Sequence, residues 1–153
     1  MIGESGVLST EQRALLRCVL NRLVPPHGAL GGAGDLDAGD SIERTLSASP
    51  RLRRLFLDGL TQITVTAVRM AGADLCALAV EQQTRVLQQV EQARPGFFAA
   101  LVEHAYRGYY TLPVVQRALG ARPPQPIGFD LPPFDPSILE KQRERAPFWR
   151  RVE

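Results

Sequence analysis

Apolar residues recur every three or four positions through most of the chain, which is the spacing of α-helices that bury one face. Just before the first such run, Ser9 and Gln12 form the sequence pattern of a capping box, in which the side chain of each residue accepts a hydrogen bond from the backbone N–H of the other. A proline pair at residues 25–26 ends the run, because proline cannot continue a helix. The pattern predicts a first helix over residues 10–24.

The same period predicts further helices with recognisable ends. Ser49 and Pro50 are typical of an N-cap and a first helical turn, and Gly72 and Gly120 are expected just past C-terminal ends. The β-branched run at residues 63–68 favours a strand locally, but the helical period continues through it and no second strand signal could pair with it. We therefore predict an all-α, bundle-like domain. The predicted helices after the first are residues 40–47, 50–70, 80–93, 95–110 and 113–119.

Residues 25–40 are rich in glycine and begin with two prolines, which predicts a loop that is ordered only if something packs against it. Asp35, Asp37 and Asp40 alternate in the manner of a calcium-binding loop. The EF-hand pattern nevertheless fails at three later positions of the motif. We favour a loop whose last aspartate, Asp40, caps the next helix.

The chain from residue 121 to 136 is interrupted so often by proline that it can form neither helix nor sheet and must run extended. Its gaps hold apolar side chains, and apolar side chains on an extended chain need a surface to lie on. A short charged helix is predicted at residues 136–147. We therefore divide the chain into a helical core, residues 1–120, and a second part, residues 121–153, that comprises a proline-rich arm and a short helix.

Length and charge narrow the class of protein. The 153 residues suit one domain, and 18 basic against 16 acidic side chains give a formal charge of only +2. This balance is too even for a polyanion-binding field, so nucleic acid is not indicated. No run is long enough to cross a membrane, and the N-terminus lacks the features of an export signal. The sequence predicts a cytoplasmic protein, or a periplasmic one if a leader has been removed.

Cys18 and Cys76 are too few for a disulfide framework and have no metal-ligand spacing. Both lie among apolar neighbours, so we interpret them as buried free thiols, with a disulfide or a ligand pair as the alternative.

No arrangement of side chains points to catalysis. The chain contains none of the common nucleotide-binding, metalloprotease or hydrolase motifs. His104 is better explained as a partly buried histidine with a hydrogen bond than as a metal ligand or a general base. Tyrosines at 106, 109 and 110 are more typical of a core with polar tips at its rim than of a stacking platform. We predict no catalytic, cofactor-binding or metal-binding residue in this chain.

Five segments in a fixed order carry a family resemblance: "LVPP", "LGGAGDLDAGDSIERTL", "FFAALVEHAYRGYYTLPVVQRALG", "RPPQPIGFDLPPFDPSIL" and "FWRRV". Together they resemble the gluconate 2-dehydrogenase subunit 3 family over residues 8–151. The resemblance implies a small, non-catalytic subunit of a large FAD-containing dehydrogenase of the glucose-methanol-choline type, which acts on sugars, sugar acids or other alcohols. It places the flavin in the large subunit and any haem in a separate cytochrome subunit.

The resemblance and the arm lead to one hypothesis about contacts: the arm from residue 122 to 136 lies in a groove of the flavoprotein, with Phe129, Phe134 and Trp149 as anchors. One alternative is that the arm packs only on its own helices. Another is a stand-alone helical adaptor or regulator whose partner is not a dehydrogenase. The predicted partner-binding residues are Tyr109, Tyr110, Pro123, Pro124, Pro126, Ile127, Phe129, Leu131, Phe134 and Trp149.

Overall fold

The computed structural model describes residues 6–121 and 135–144. These residues form α-helices, two short 3-10 turns and no strand, which confirms the all-α prediction. The α-helices are α1 (Thr10–Leu23), α2 (Ala38–Ala48), α3 (Pro50–Ala71), α4 (Val80–Ala93), α5 (Pro95–Tyr110), α6 (Pro113–Ala118) and α7 (Glu140–Arg143). The 3-10 turns are Leu75–Ala77 and Pro136–Leu139.

The predicted helix ends are confirmed by their hydrogen bonds and backbone angles. At α1 the Gln12 amide donates to Ser9 Oγ at 3.2 Å, and the Ser9 amide donates to Gln12 Oε1 at 2.9 Å, which completes the capping box. Gly72 follows α3 with φ 70°, and Gly120 follows α6 with φ 69°. Both glycines occupy the left-handed region, which a side chain would disfavour.

The β-branched run at residues 63–68 is helical and lies inside α3. Ile63 is buried whereas Val65 and Val68 are exposed, so inward and outward positions follow the helical period. The Thr64 hydroxyl donates to the Leu60 carbonyl at 3.3 Å, which satisfies the polar group within the helix itself. Tertiary burial of one face therefore outweighs the local strand preference.

The start of α2 differs from the prediction. The helix begins at Ala38, so Asp40 lies within its first turn and the prediction that Asp40 caps it is wrong. The physical reason is close contact with α5: Ala38 is fully buried, and a Cβ on Gly108 would lie 2.9 Å from the Ala38 carbonyl oxygen. Burial of Ala38 fixes the beginning of the helix ahead of the aspartate.

Helix α3 lies at the centre of the core and packs against α1, α2, α4 and α5. Phe56 is fully buried there, with the Phe97 ring edge-on at 5.6 Å and the His104 ring at 6.0 Å. Such edge-to-face pairs add specific geometry to the area that aromatic side chains bury. The aromatic contacts therefore fix α5 against α3.

The glycine-rich loop between α1 and α2 is ordered by polar contacts from two helices. Asn21 of α1 accepts from the Gly34 amide at 2.8 Å and donates to Asp35 at 3.0 Å. The Tyr109 hydroxyl of α5 donates to the Gly31 carbonyl at 3.2 Å. Gly34 lies so close to the α1 backbone that any side chain would overlap it. The sequence predicted a loop that is ordered only if something packs against it, and α1 and α5 supply those contacts.

The chain divides into two units, residues 1–123 and 124–153, of which the second is described only at 135–144. Asp135 accepts from the Ser137 amide at 2.9 Å and from the Ser137 hydroxyl at 2.7 Å. These bonds, the backbone one first, lower the pKa of the Asp135 carboxyl below its usual value. The helix predicted at 136–147 begins at Pro136 with a 3-10 turn, and its last residues lie outside the described part.

Candidate interaction surface

Three tyrosines at the end of α5 divide into one inward and two outward side chains. Tyr109 is 5% exposed, and its hydroxyl binds the glycine-rich loop. Tyr106 and Tyr110 are 46% and 49% exposed, one helical turn apart, with ring centroids 6.0 Å from each other. The Tyr109 ring meets the Tyr110 ring edge-on at 5.2 Å, so the buried ring supports the exposed one.

Helix α6 continues this exposed apolar character. Val115 is its only fully buried residue, whereas Val114 is 43% exposed. Leu119, directly after the helix, is 61% exposed. We call Tyr106, Tyr110, Val114 and Leu119 the tyrosine–α6 surface. Ala121, two residues after Leu119, is the last described residue before the rest of the arm.

Charged groups border the aromatic pair. Arg107 and Glu103 lie one turn apart on α5 with 4.0 Å between nitrogen and oxygen, and both side chains are more than half exposed. Exposed pairs of this kind contribute little to stability. The tyrosines are therefore flanked by polar groups that water can still reach, as at the rim of a protein interface.

Tyr109 and Tyr110 are the predicted partner-binding residues that lie within the described part of the chain, and their rings are in contact. Tyr110 is accessible, whereas Tyr109 is buried in the core. The role of both tyrosines in binding a partner stays a prediction. The burial of Tyr109 is indicated by helical spacing, because Leu101, Ala105 and Tyr109 recur every fourth residue and all three are buried. The other predicted residues lie outside the described part of the chain: Pro123, Pro124, Pro126, Ile127, Phe129, Leu131, Phe134 and Trp149.

A cleft of about 550 Å³ lies between α1 and the second half of α3, beside the turn Leu75–Ala77. Its walls include Leu15, Leu60, Val65 and Cys76. Farther along α3, Val68 and Met70 are about half exposed, at 50% and 49%. The molecule thus has exposed apolar residues on α3 as well as at the tyrosine–α6 surface.

The two cysteines lie near each other beside this cleft. Cys76 is exposed, so the prediction that both thiols are buried is wrong for this residue. The Cys76 sulfur lies 3.8 Å from the Ala14 carbonyl oxygen, and Cys18, one turn along α1 from Ala14, is half-buried. Burial and the neighbouring thiol raise the pKa of Cys18 to about 12, and Arg22 opposes that rise. Cys18 is therefore a neutral thiol at physiological pH.

The described residues bring together no three His, Cys, Asp or Glu side chains that could hold a metal ion. Among the carboxylates of the glycine-rich loop, Asp35 accepts a hydrogen bond from Asn21 and lies 3.7 Å from Arg17. His104 is half-buried against the Phe56 ring. Within residues 6–121 and 135–144, no helix combines the length and apolar character needed to span a bilayer.

Comparison with known proteins gives one match. The family model described as gluconate 2-dehydrogenase subunit 3 matches residues 10–129. No curated protein and no solved structure matches the chain significantly. The matched range contains α1 to α6, the whole tyrosine–α6 surface and the first residues of the arm.

Proposed function

Because the chain belongs to the gluconate 2-dehydrogenase subunit 3 family, we propose that it binds and stabilises a large FAD-dependent dehydrogenase as a non-catalytic small subunit. The large subunit would carry the flavin and the pocket for a sugar, a sugar acid or a related alcohol. A cytochrome subunit is a further candidate partner. The small subunit would contribute a binding surface and not catalytic groups, and the residues of that surface can be named.

The tyrosine–α6 surface is the observation that carries this proposal. Isolated exposed apolar residues are common on proteins, but here two tyrosine rings are in contact and a weakly buried helix follows them. A helix of six residues has little stability of its own and depends on tertiary contacts. Tyrosine is also among the residue types that contribute most to binding at interfaces. These properties favour a protein partner.

The sequence of the arm supports a second contact that continues from the first. The arm begins at residue 121, close to Leu119, and combines prolines with the apolar residues Ile127, Phe129 and Phe134. A chain stiffened by proline loses less conformational entropy on binding than a flexible one. A partner that covers the tyrosine–α6 surface would therefore gain additional apolar contacts at a modest entropic cost.

Stabilisation of the large subunit would follow from mass action. A subunit that binds only the folded partner shifts the folding equilibrium by about 2.7 kcal/mol when its free concentration is a hundred times the Kd. That shift is a large fraction of the stability of an ordinary domain. We expect the large subunit expressed alone to give a lower soluble yield and lower activity.

Co-expression tests the proposal directly. The 153-residue chain, carrying an affinity tag, is expressed with a FAD-dependent dehydrogenase of the glucose-methanol-choline type, and the purified material is examined for a second polypeptide and for a flavin absorption spectrum. We expect both to copurify with the tag. Normal yield and activity of the flavoprotein without this chain would refute the stabilising role, and copurification of a protein without flavin would favour the adaptor alternative.

Matched variants locate the interface. We expect Tyr106→Ala with Tyr110→Ala to weaken binding about 30-fold, which corresponds to roughly 2 kcal/mol for loss of an interface hot spot. Val68→Ala with Met70→Ala removes apolar side chains of similar exposure from α3 and should leave the Kd unchanged. The opposite result would move the interface to α3. Deletion of residues 122–153 tests the arm separately, since copurification at full yield would exclude a contribution from it.

A further inference from the structure

Cys18 and Cys76 belong to different elements, yet they are neighbours in the fold. Cys18 projects from α1, and Cys76 lies in the 3-10 turn that follows α3. The Cys76 sulfur is 3.8 Å from the carbonyl of Ala14, one helical turn before Cys18. Within an α-helix the carbonyl of Ala14 accepts the backbone N–H of Cys18, so the Cys76 sulfur lies beside the backbone of Cys18. A disulfide requires the two sulfur atoms to approach to about 2.05 Å.

From this geometry we infer that Cys18 and Cys76 are a redox-active pair that closes an intramolecular disulfide between α1 and the turn after α3. The inference concerns the fold of this chain and does not depend on the proposed dehydrogenase partner. The disulfide would be a reversible modification site, with a low-molecular-weight disulfide or an oxidised dithiol protein as oxidant.

The exposures of the two thiols give the order of events. Cys76 is exposed and is the sulfur that an oxidant can reach, whereas Cys18 is half-buried. The Cys76 thiolate attacks one sulfur of the oxidant RSSR, which forms a mixed disulfide and releases RS⁻. The released RS⁻ takes the proton of the Cys18 thiol, and the resulting Cys18 thiolate attacks the Cys76 sulfur, so that the protein disulfide forms and a second RS⁻ leaves. Overall, two protein thiols are oxidised and one RSSR is reduced to two RSH.

Formation of the disulfide would link the 3-10 turn Leu75–Ala77 covalently to α1. Because the cross-link spans the chain from α1 through α2 and α3, it removes many conformations from the unfolded state. We expect the oxidised protein to melt about 5–15 °C above the reduced protein. Cys76 also lines the cleft between α1 and α3, so oxidation would fix one wall of that cleft.

The experiment uses the purified full-length chain, reduced and then treated with glutathione disulfide. We expect loss of both thiols to maleimide labelling, a monomeric protein whose mass falls by two hydrogens, and a cross-linked peptide that contains Cys18 and Cys76. Two labelled thiols after treatment, glutathione retained on the wild-type protein, or dimers joined through Cys76 would each overturn the inference.

Single-serine variants test the order of events with almost no change in side-chain size. Cys18→Ser should retain glutathione on Cys76, because the thiol that resolves the mixed disulfide is missing. Cys76→Ser should react much more slowly, since its remaining thiol is half-buried, and neither variant should show the rise in Tm. Capture of glutathione by Cys76→Ser but not by Cys18→Ser would overturn the assignment of Cys76 as the attacking thiol.

Discussion

Substitution of Gly59 by alanine tests the contact between α3 and α5. Gly59 is buried in α3, directly against the ring of Phe97, and an added Cβ would overlap three carbon atoms of that ring. Phe97 is 2% exposed and is held edge-on by Phe56, which is fully buried. The ring therefore has no free space to enter, and the helices must separate or the ring must leave its position.

Two opposing effects set the magnitude for Gly59→Ala. Alanine is the better helix former by about 1 kcal/mol. Overpacking a core costs about 1–3 kcal/mol, and overlap with three ring atoms places this site at the upper end of that range. The expected net loss is about 2 kcal/mol in the free energy of unfolding, or a decrease of roughly 5–10 °C in Tm.

Gly96→Ala is the matched control, because Gly96 is also helical but is exposed, with no atom within 4 Å of its added Cβ. Only the gain in helix propensity applies there, so this variant should be at least as stable as the wild type. Urea unfolding followed by circular dichroism measures both. A Gly59→Ala protein as stable as Gly96→Ala would refute the packing argument. Phe97→Leu combined with Gly59→Ala should recover part of the loss, which a double-mutant cycle detects as coupling.

Three further predictions concern hydrogen bonds and pH. Tyr109→Phe should cost about 1 kcal/mol and increase proteolysis in the glycine-rich loop, because the bond to the Gly31 carbonyl is lost. Asn21→Ala should cost more, about 1–3 kcal/mol in urea unfolding, since it leaves the part-buried Gly34 amide without its acceptor. The pKa of Cys18 is raised from 9.0 to about 12 in the folded protein, so the unfolded chain loses this proton first and stability should fall as pH rises through that interval. Cys18→Ser should show a smaller decrease over the same interval, and an equal decrease would contradict the assignment to Cys18.

Elements with local determinants could be predicted from the sequence. A capping box, a proline in a first turn and a glycine past a C-terminal end each act within a few residues, so α1, α3 and α6 could be placed from Ser9, Ser49 and Gly120. The start of α2 could not be placed in this way. It is fixed by the contact of Ala38 with Gly108 on α5, and a contact between residues so far apart in sequence leaves no local pattern.

The candidate site likewise has some features that local sequence could predict and others that depend on tertiary contacts. The burial of Tyr109 follows from its spacing to Leu101 and Ala105, whereas its bond to the loop depends on how α5 meets the chain after α1. The proximity of Cys18 and Cys76 is likewise tertiary, because it requires α1 and the turn after α3 to lie side by side. Neither spacing nor composition distinguishes such a pair from two unrelated buried thiols.

The tyrosine–α6 surface and the arm are adjacent in sequence, so binding of one partner to both can be tested by changing each in turn. If one partner covers both features, loss of the two tyrosine rings and loss of residues 122–153 should each weaken binding of the flavoprotein. The double change reveals whether the contacts are independent, since additive losses in binding free energy indicate separate contacts and a smaller combined loss indicates coupled ones. If only the deletion of residues 122–153 weakens binding of the flavoprotein, α6 is a helix that ends the core and is not part of the interface. If only the loss of the tyrosine rings weakens binding, the arm packs on its own chain.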